Sequence, residues 1–90
     1  MMNEIELRQF SGKRIEAVLM GYKMVLRGTL AGVERGYVKF SSVDELFVLV
    51  HGKRLSLKLM LAASFSDLEA LLSSLLFPCG IFDKCKIAEE

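Results

Sequence analysis

Apolar and polar residues alternate through most of the first sixty positions, and the spacing then changes to threes and fours. Ile15, Ala17 and Leu19 alternate with Glu16, Val18 and Met20, which predicts a first strand of about six residues. Gly21-Tyr22-Lys23 reads as a turn, and alternation resumes with Met24, Leu26 and Leu30 on one side and Arg27, Thr29 and Ala31 among the rest. Gly28 falls inside this second run, where a glycine weakens the strand unless the backbone must bend sharply. Gly32 and Gly36 mark a bulge and a turn ahead of a third strand over residues 37–41. Ser42-Val43-Asp44-Glu45 then reads as a short loop, residues 46–50 as a fourth strand and His51-Gly52-Lys53 as a tight turn. Leu55, Leu57, Leu59 and Leu61 form one face of a fifth strand, with Ser56, Lys58 and Met60 on the other. Ahead of the strands, Asn3 can cap a short helix over 4–9 whose first turn is acidic, as the helix dipole favours.

From Ser66 the pattern is helical. Ser66-x-x-Glu69 has the spacing of a capping box, and Leu68, Leu71, Leu72, Leu75 and Leu76 follow at helical intervals. Pro78 ends that helix, because proline cannot continue the hydrogen-bond ladder. The expected organisation is a β-rich unit with its N-terminal helix over 1–63, an amphipathic helix over 64–77 and a tail over 78–90. The tail mixes charges with Ile81, Phe82 and Ile87 and has no assigned element. The expected fold is mainly β: a small, strongly bent, five-stranded open barrel of SH3-like kind.

The strand at 46–50 is apolar on both sides, with Leu46, Val48 and Val50 facing one way and Phe47 and Leu49 the other. Ninety residues make one domain, too small to cover two faces everywhere, yet 52% of the residues are hydrophobic. A second copy supplying that cover is the natural reading. The interface is expected at Leu46, Phe47, Val48, Leu49, Val50, Leu55, Leu57 and Leu59. Leu68, Leu71, Leu72 and Leu75 must pack on the chain's own sheet or on a protein partner.

A formal charge of +1 offers no global attraction to nucleic acid, so any such site must be local. The Cys79-x5-Cys85 spacing fits no common zinc pattern and reads as a pair of reduced thiols; a disulfide between them would close only a short loop. Met1-Met2-Asn3-Glu4 is no signal peptide, and no apolar run approaches the ~18 residues that span a bilayer, which leads to the expectation of a cytoplasmic protein. Any catalytic dyad or triad must use His51, the one histidine, and no serine or cysteine sits in a nucleophile context. No glycine-rich phosphate loop precedes a helix, and Glu16, Glu34, Asp44 and Glu45 have no paired-carboxylate spacing. A non-enzymatic protein without cofactor or metal is expected.

The order of these features resembles the Sm and Sm-like (LSm) family. Phe10-x-Gly12-Lys13-x-Ile15-x-Ala17-x-Leu19 is similar to the opening strand of the first Sm motif, and Gly28-x-Leu30-x-x-Val33-Glu34 to its second. Tyr37-Val38-Lys39 falls where that motif places an aromatic, an apolar residue and an asparagine, and Val50-His51-Gly52 resembles the Ile-Arg-Gly of the second motif. The resemblance covers roughly residues 4–62. It implies a homo-oligomeric ring, in which the fourth strand of one protomer pairs with the fifth of the next.

It also implies a single-stranded RNA pocket, in which a base stacks on the aromatic and is read by the asparagine beside the arginine. By position these become Tyr37, Lys39 and His51, with Glu34 standing for the supporting aspartate. Lysine lacks the paired donor and acceptor of an amide, and neutral histidine lacks arginine's permanent charge. The implied site is therefore less selective, made of Tyr37, Lys39, His51, Lys53 and Arg54. The competing expectation is a scaffolding oligomer with a degenerate pocket that uses its C-terminal helix to bind a protein.

Overall fold

A computed structural model describes residues 1–88, and its first element is set by a reciprocal cap. The Asn3 side chain accepts the Glu6 N–H (2.9 Å) and Glu6 Oε1 accepts the Asn3 N–H (3.0 Å), opening α1 (Glu4–Arg8). The helix buries Leu7 in the main core. Three antiparallel strands follow, β1 (Arg14–Leu19), β2 (Met24–Glu34) and β3 (Tyr37–Val50), and then the short β4 (Lys53–Ser56). The chain next leaves the sheet through α2 (Leu57–Leu61), a 3-10 turn (Ala62–Ser64) and α3 (Phe65–Ser74). It returns as β5 (Phe77–Pro78), a second 3-10 turn (Cys79–Ile81) and β6 (Phe82–Ile87). The fold is mainly β, with a six-stranded antiparallel sheet in the order β4-β3-β2-β1-β6 and β5 also paired to β3; the sheet is not closed.

Three expectations are corrected. Residues 42–45 are strand, not loop: Val43 is fully buried, and β3 runs on past them with a register shift against β2 at Arg27/Gly28. Residues 57–61 are helix, not the end of a strand. No β-branched residue occurs from 55 to 76, and Ser56 caps the turn by accepting the Leu59 N–H (3.2 Å), so local preference overrides the alternating pattern. The third correction concerns α3. It begins at Phe65, so Ser66 lies inside it and bonds back to the Ala63 carbonyl instead of capping, while the extended Leu75 ends the helix three residues before Pro78.

Of the segment with no assigned element, 78–90, residues 82–87 form the sixth strand, and 89–90 lie outside the described residues. β6 pairs with β1 from Ile15↔Ile87 to Leu19↔Phe82. Phe82 is fully buried, stacked on Phe40 at 6.4 Å, and Phe77 meets Phe40 edge-on at 5.6 Å. These rings fasten the C-terminal segment to β3, the fully buried Phe82 being worth about 1.5–3 kcal/mol by burial and the half-buried Phe77 less. The core lies between this sheet, α1 and α3, whose Phe65 is buried with Leu68 and Leu72 packed behind it.

At Gly28 the backbone of β3 leaves no room for a side chain. A Cβ placed there would lie 2.3 Å from the Ser42 carbonyl oxygen, a backbone atom that cannot swing away. The register also shifts at this point, which is how the two long strands bend together. The bend carries the far ends of β2 and β3 toward α1 and β5.

Candidate functional site

Three surfaces hold the residues that could bind something. The first is a groove of about 900 Å³ at the β2–β3 turn, lined by Arg8, Ala31, Gly32, Glu34, Arg35, Tyr37, Lys39 and Leu76 among others. Arg35 (φ 53°) and Gly36 (φ 81°) are both left-handed, and Glu34 pairs with Tyr37 across them, so this is a two-residue hairpin turn. Glu4 fixes the turn to α1: one carboxylate oxygen accepts the Gly36 N–H (2.6 Å), the other takes Arg8 at 2.7 Å. From the other side the Cys79 N–H donates to the Gly36 carbonyl (2.8 Å), and Tyr37 pairs with Pro78. Tyr37 is left 46% exposed above this doubly tied turn, with Arg8, Arg35 and Lys39 in the same groove.

His51, Lys53 and Arg54 are elsewhere. Tyr37 opens β3, whereas His51 follows its last residue, in a left-handed turn with Gly52. The structure thus brings Tyr37 and Lys39 together and leaves His51 and Lys53 at the other end of the strand. Arg54 turns onto the sheet, over the Phe47 ring at 5.6 Å and within 3.3 Å of Glu16. What the sequence reading missed here are Arg8 and Arg35. Arg8 could have been flagged as the basic last turn of the expected helix; its convergence with Tyr37 depends on the fold.

The second surface is a charged row across the outer face of the sheet. Lys86 of β6, Glu16 of β1, Arg27 of β2 and Glu45 of β3 stand opposite one another in register, alternating in sign. Glu16 is only 5% exposed and is held by Arg27 (2.9 Å), Arg54 (3.3 Å) and Lys86 (3.6 Å); Arg27 also reaches Glu45 at 3.3 Å. Burial alone pushes the Glu16 carboxyl up. The hydrogen bonds and charges of Arg54 and Arg27 outweigh it and hold the group below the ordinary carboxylate range. Every cation is spoken for, and the row stabilises the sheet.

The third surface is the outside of the helical excursion. Leu59 is 83% exposed, Met60 65%, Leu76 61% and Leu71 54%. Of the expected interface residues, Val50, Leu55 and Leu59 are exposed; Leu46 lies in the core; Phe47, Val48, Leu49 and Leu57 are half-buried. Of the helical stripe, Leu71 and Leu75 are exposed, and Leu68 and Leu72 pack on the core. The sheet's two edges both carry cations, Lys53 and Arg54 on β4 and Lys84 and Lys86 on β6, which blunts them against pairing with each other.

Both cysteines are free thiols. Burial pushes Cys85 up to about 12, and burial with the nearby Glu4 charge raises Cys79, so each stays protonated and weakly nucleophilic at neutral pH. Among the described residues no group of three or more His, Cys, Asp or Glu could hold a metal ion, and no helix is long and apolar enough to cross a membrane. Compared with family models, curated proteins and solved structures, the chain matches none of them.

Proposed function

We propose that this chain is a non-catalytic binding module of Sm-like build that associates with further copies of itself through its helical excursion. The build is supported by the topology: a capped N-terminal helix, two long strands bent at Gly28, the order β4-β3-β2-β1-β6, and a 3-10 turn before the last strand. On this reading the fourth strand of the barrel is interrupted. Its two halves are β4 and β5, which pair with opposite ends of β3 while α2 and α3 fill the gap.

One observation carries the self-association. Leu59, Met60, Leu71 and Leu76, each more than half exposed, lie in a stretch of chain, 57–76, whose only charges are Lys58, Asp67 and Glu69. Apolar exposure on that scale marks a contact surface. Light scattering across a concentration series should give a mass of several copies that falls to one copy on Leu59→Glu with Leu71→Glu. A single-chain mass for the unaltered protein at every concentration would overturn the proposal.

A second reading, single-stranded RNA in the groove, is favoured by the half-exposed Tyr37 beside Arg8, Arg35 and Lys39. An unpaired base could stack on the ring while the cations follow its phosphates, with affinity falling as salt rises. Fluorescence anisotropy with uridine-rich and adenine-rich oligonucleotides tests it. Tyr37→Ala and Lys39→Ala should weaken binding and His51→Ala should not, since His51 lies at the other end of β3. Absence of binding at low salt would end this reading and leave the first untouched.

A further inference from the structure

We propose that residues 57–61 form a two-state strap: the helix α2 in the major state, and in a minor state a continuation of β4 along the open flank of β3. Four separate observations converge on this segment. The leucines at 55, 57, 59 and 61 alternate with Ser56, Lys58 and Met60, the pattern of a strand. As a helix the same segment buries no residue fully and packs only Leu57 against the core, and five residues are too few for a helix to be stable by its own hydrogen bonds. It ends at Ala62, whose backbone (φ 49°, ψ −119°) lies where glycine is at ease and alanine is strained. Finally, β4 pairs with β3 only from Val50↔Lys53 to Phe47↔Ser56, and β5 only at Val38 and Tyr37. Among the described residues, positions 39–46 of β3 have no strand partner on the side away from β2.

The existing register runs straight into that gap. Continued by the same rule, residue 57 meets 46 and residue 58 meets 45, just ahead of the point where β3 bulges at Asp44. It would also place Leu57 and Leu59 on the face of Leu55, the side of the core, because strand side chains alternate. What holds the flank in the major state is α3, through Phe65, Leu68 and Leu72. Two apolar sets therefore compete for one side of β3, the condition for a bistable element. The proposal is independent of self-association, since the acceptor edge belongs to the same chain.

A disulfide trap tests it. Glu45→Cys with Lys58→Cys, in a Cys85→Ala background, sets the two thiols opposite each other on one face when the segment is a strand, and a disulfide needs Cα atoms within about 7 Å. Under mild oxidation a monomeric cross-link should accumulate several-fold faster than in the control pair Lys13→Cys with Lys58→Cys. Adding Ser56→Ala, which uncaps α2, or Phe65→Ala, which loosens α3, should speed it further. A rate equal to the control, or cross-links only between chains, overturns the proposal.

Because these variants could disturb folding, the unaltered chain gives a second measurement. NMR relaxation dispersion should show one common exchange rate for the amides of 57–61 and of 39–46. The minor state, populated at about 0.1–10%, should have Cα shifts of strand sign over 57–61. Flat profiles in both segments overturn the proposal whatever the cross-linking shows.

Discussion

The sheet and the helical excursion treat the same kinds of residue in opposite ways. In the sheet, Ile15, Ala17, Leu30, Val38, Phe40 and Phe82 are fully buried, and the outer charges pair in register across four strands. From 57 to 76 the chain is richer still in leucine, yet only Phe65 is buried and most of the leucines contact solvent. Apolar content alone therefore does not show where the stability lies. The sheet holds the fold, and the excursion spends its leucines on a surface, which is why the contact surface is sought there.

Side-chain truncation tests that contrast most severely. Phe82→Ala should cost about 3–5 kcal/mol, a large part of the 5–15 kcal/mol that holds a typical domain together. Leu71→Ala, at 54% exposed, should stay within about 0.5 kcal/mol. Urea unfolding followed by circular dichroism measures both. Equal costs would mean the excursion is part of the core. By the same logic, chains cut after Pro78 lose β6 and Phe82 and should not fold.

Two glycines sharpen the contrast within the sheet. Gly28→Ala forces a methyl group against the Ser42 carbonyl and should cost about 3 kcal/mol through displaced backbone. At Gly32 nothing lies within 4 Å of the added Cβ, so Gly32→Ala should be neutral or stabilising by up to about 1 kcal/mol. The midpoint in urea should shift for the first with the slope unchanged. If both variants behave alike, the close approach of β2 to β3 is wrong.

The charged row adds a smaller term with a pH signature. Glu16→Gln leaves Arg54 without its carboxylate and Arg27 with Glu45 alone, and should cost about 1–3 kcal/mol at neutral pH. The folded protein holds this carboxyl below its ordinary 4.5, so its contribution is complete above that value and is lost as pH falls through the lowered one. The difference between the two proteins should accordingly shrink on acidification below about pH 4.5. A gap that stays constant down to low pH would show that Glu16 acts by packing and not by charge.

The contrast also explains what could be read in advance. The N-terminal cap, the first two strands, the bend at Gly28 and the His51-Gly52 turn follow from local rules that the tertiary structure does not oppose. In the excursion the helix expected over 64–77 is there as α3, and only 57–61 differ, because Leu, Lys and Met satisfy a strand's alternation and a helix's propensity equally well and only the absence of β-branched residues leans toward helix. β6 went unassigned because its charges are those of an outer face, with Phe82 its one fully buried residue. For the groove, Tyr37 and Lys39 were legible from their places in a motif, but the company of Arg8 and Arg35 is made by Glu4, whose two oxygens join α1 to the β2–β3 turn.

The smallest expected effect falls at the joint between the two regions. Ala62 has a positive φ with ψ at −119°, a conformation that costs a residue with a Cβ about 1–3 kcal/mol and glycine far less. Glycine also adds about 0.4–1 kcal/mol of freedom to the unfolded chain, which offsets part of the gain. Ala62→Gly should therefore stabilise the protein by roughly 0.5–1 kcal/mol, read as a higher urea midpoint. The sign distinguishes this position from the sheet, where a glycine in place of alanine at Ala17, fully buried with ordinary strand pairing, must destabilise. Because the strain belongs to the helical form of 57–61 and not to a strand form, Ala62→Gly should also suppress the exchange in that segment. Stabilisation without that suppression would place the strain in both states and remove the alanine turn from the account of the strap.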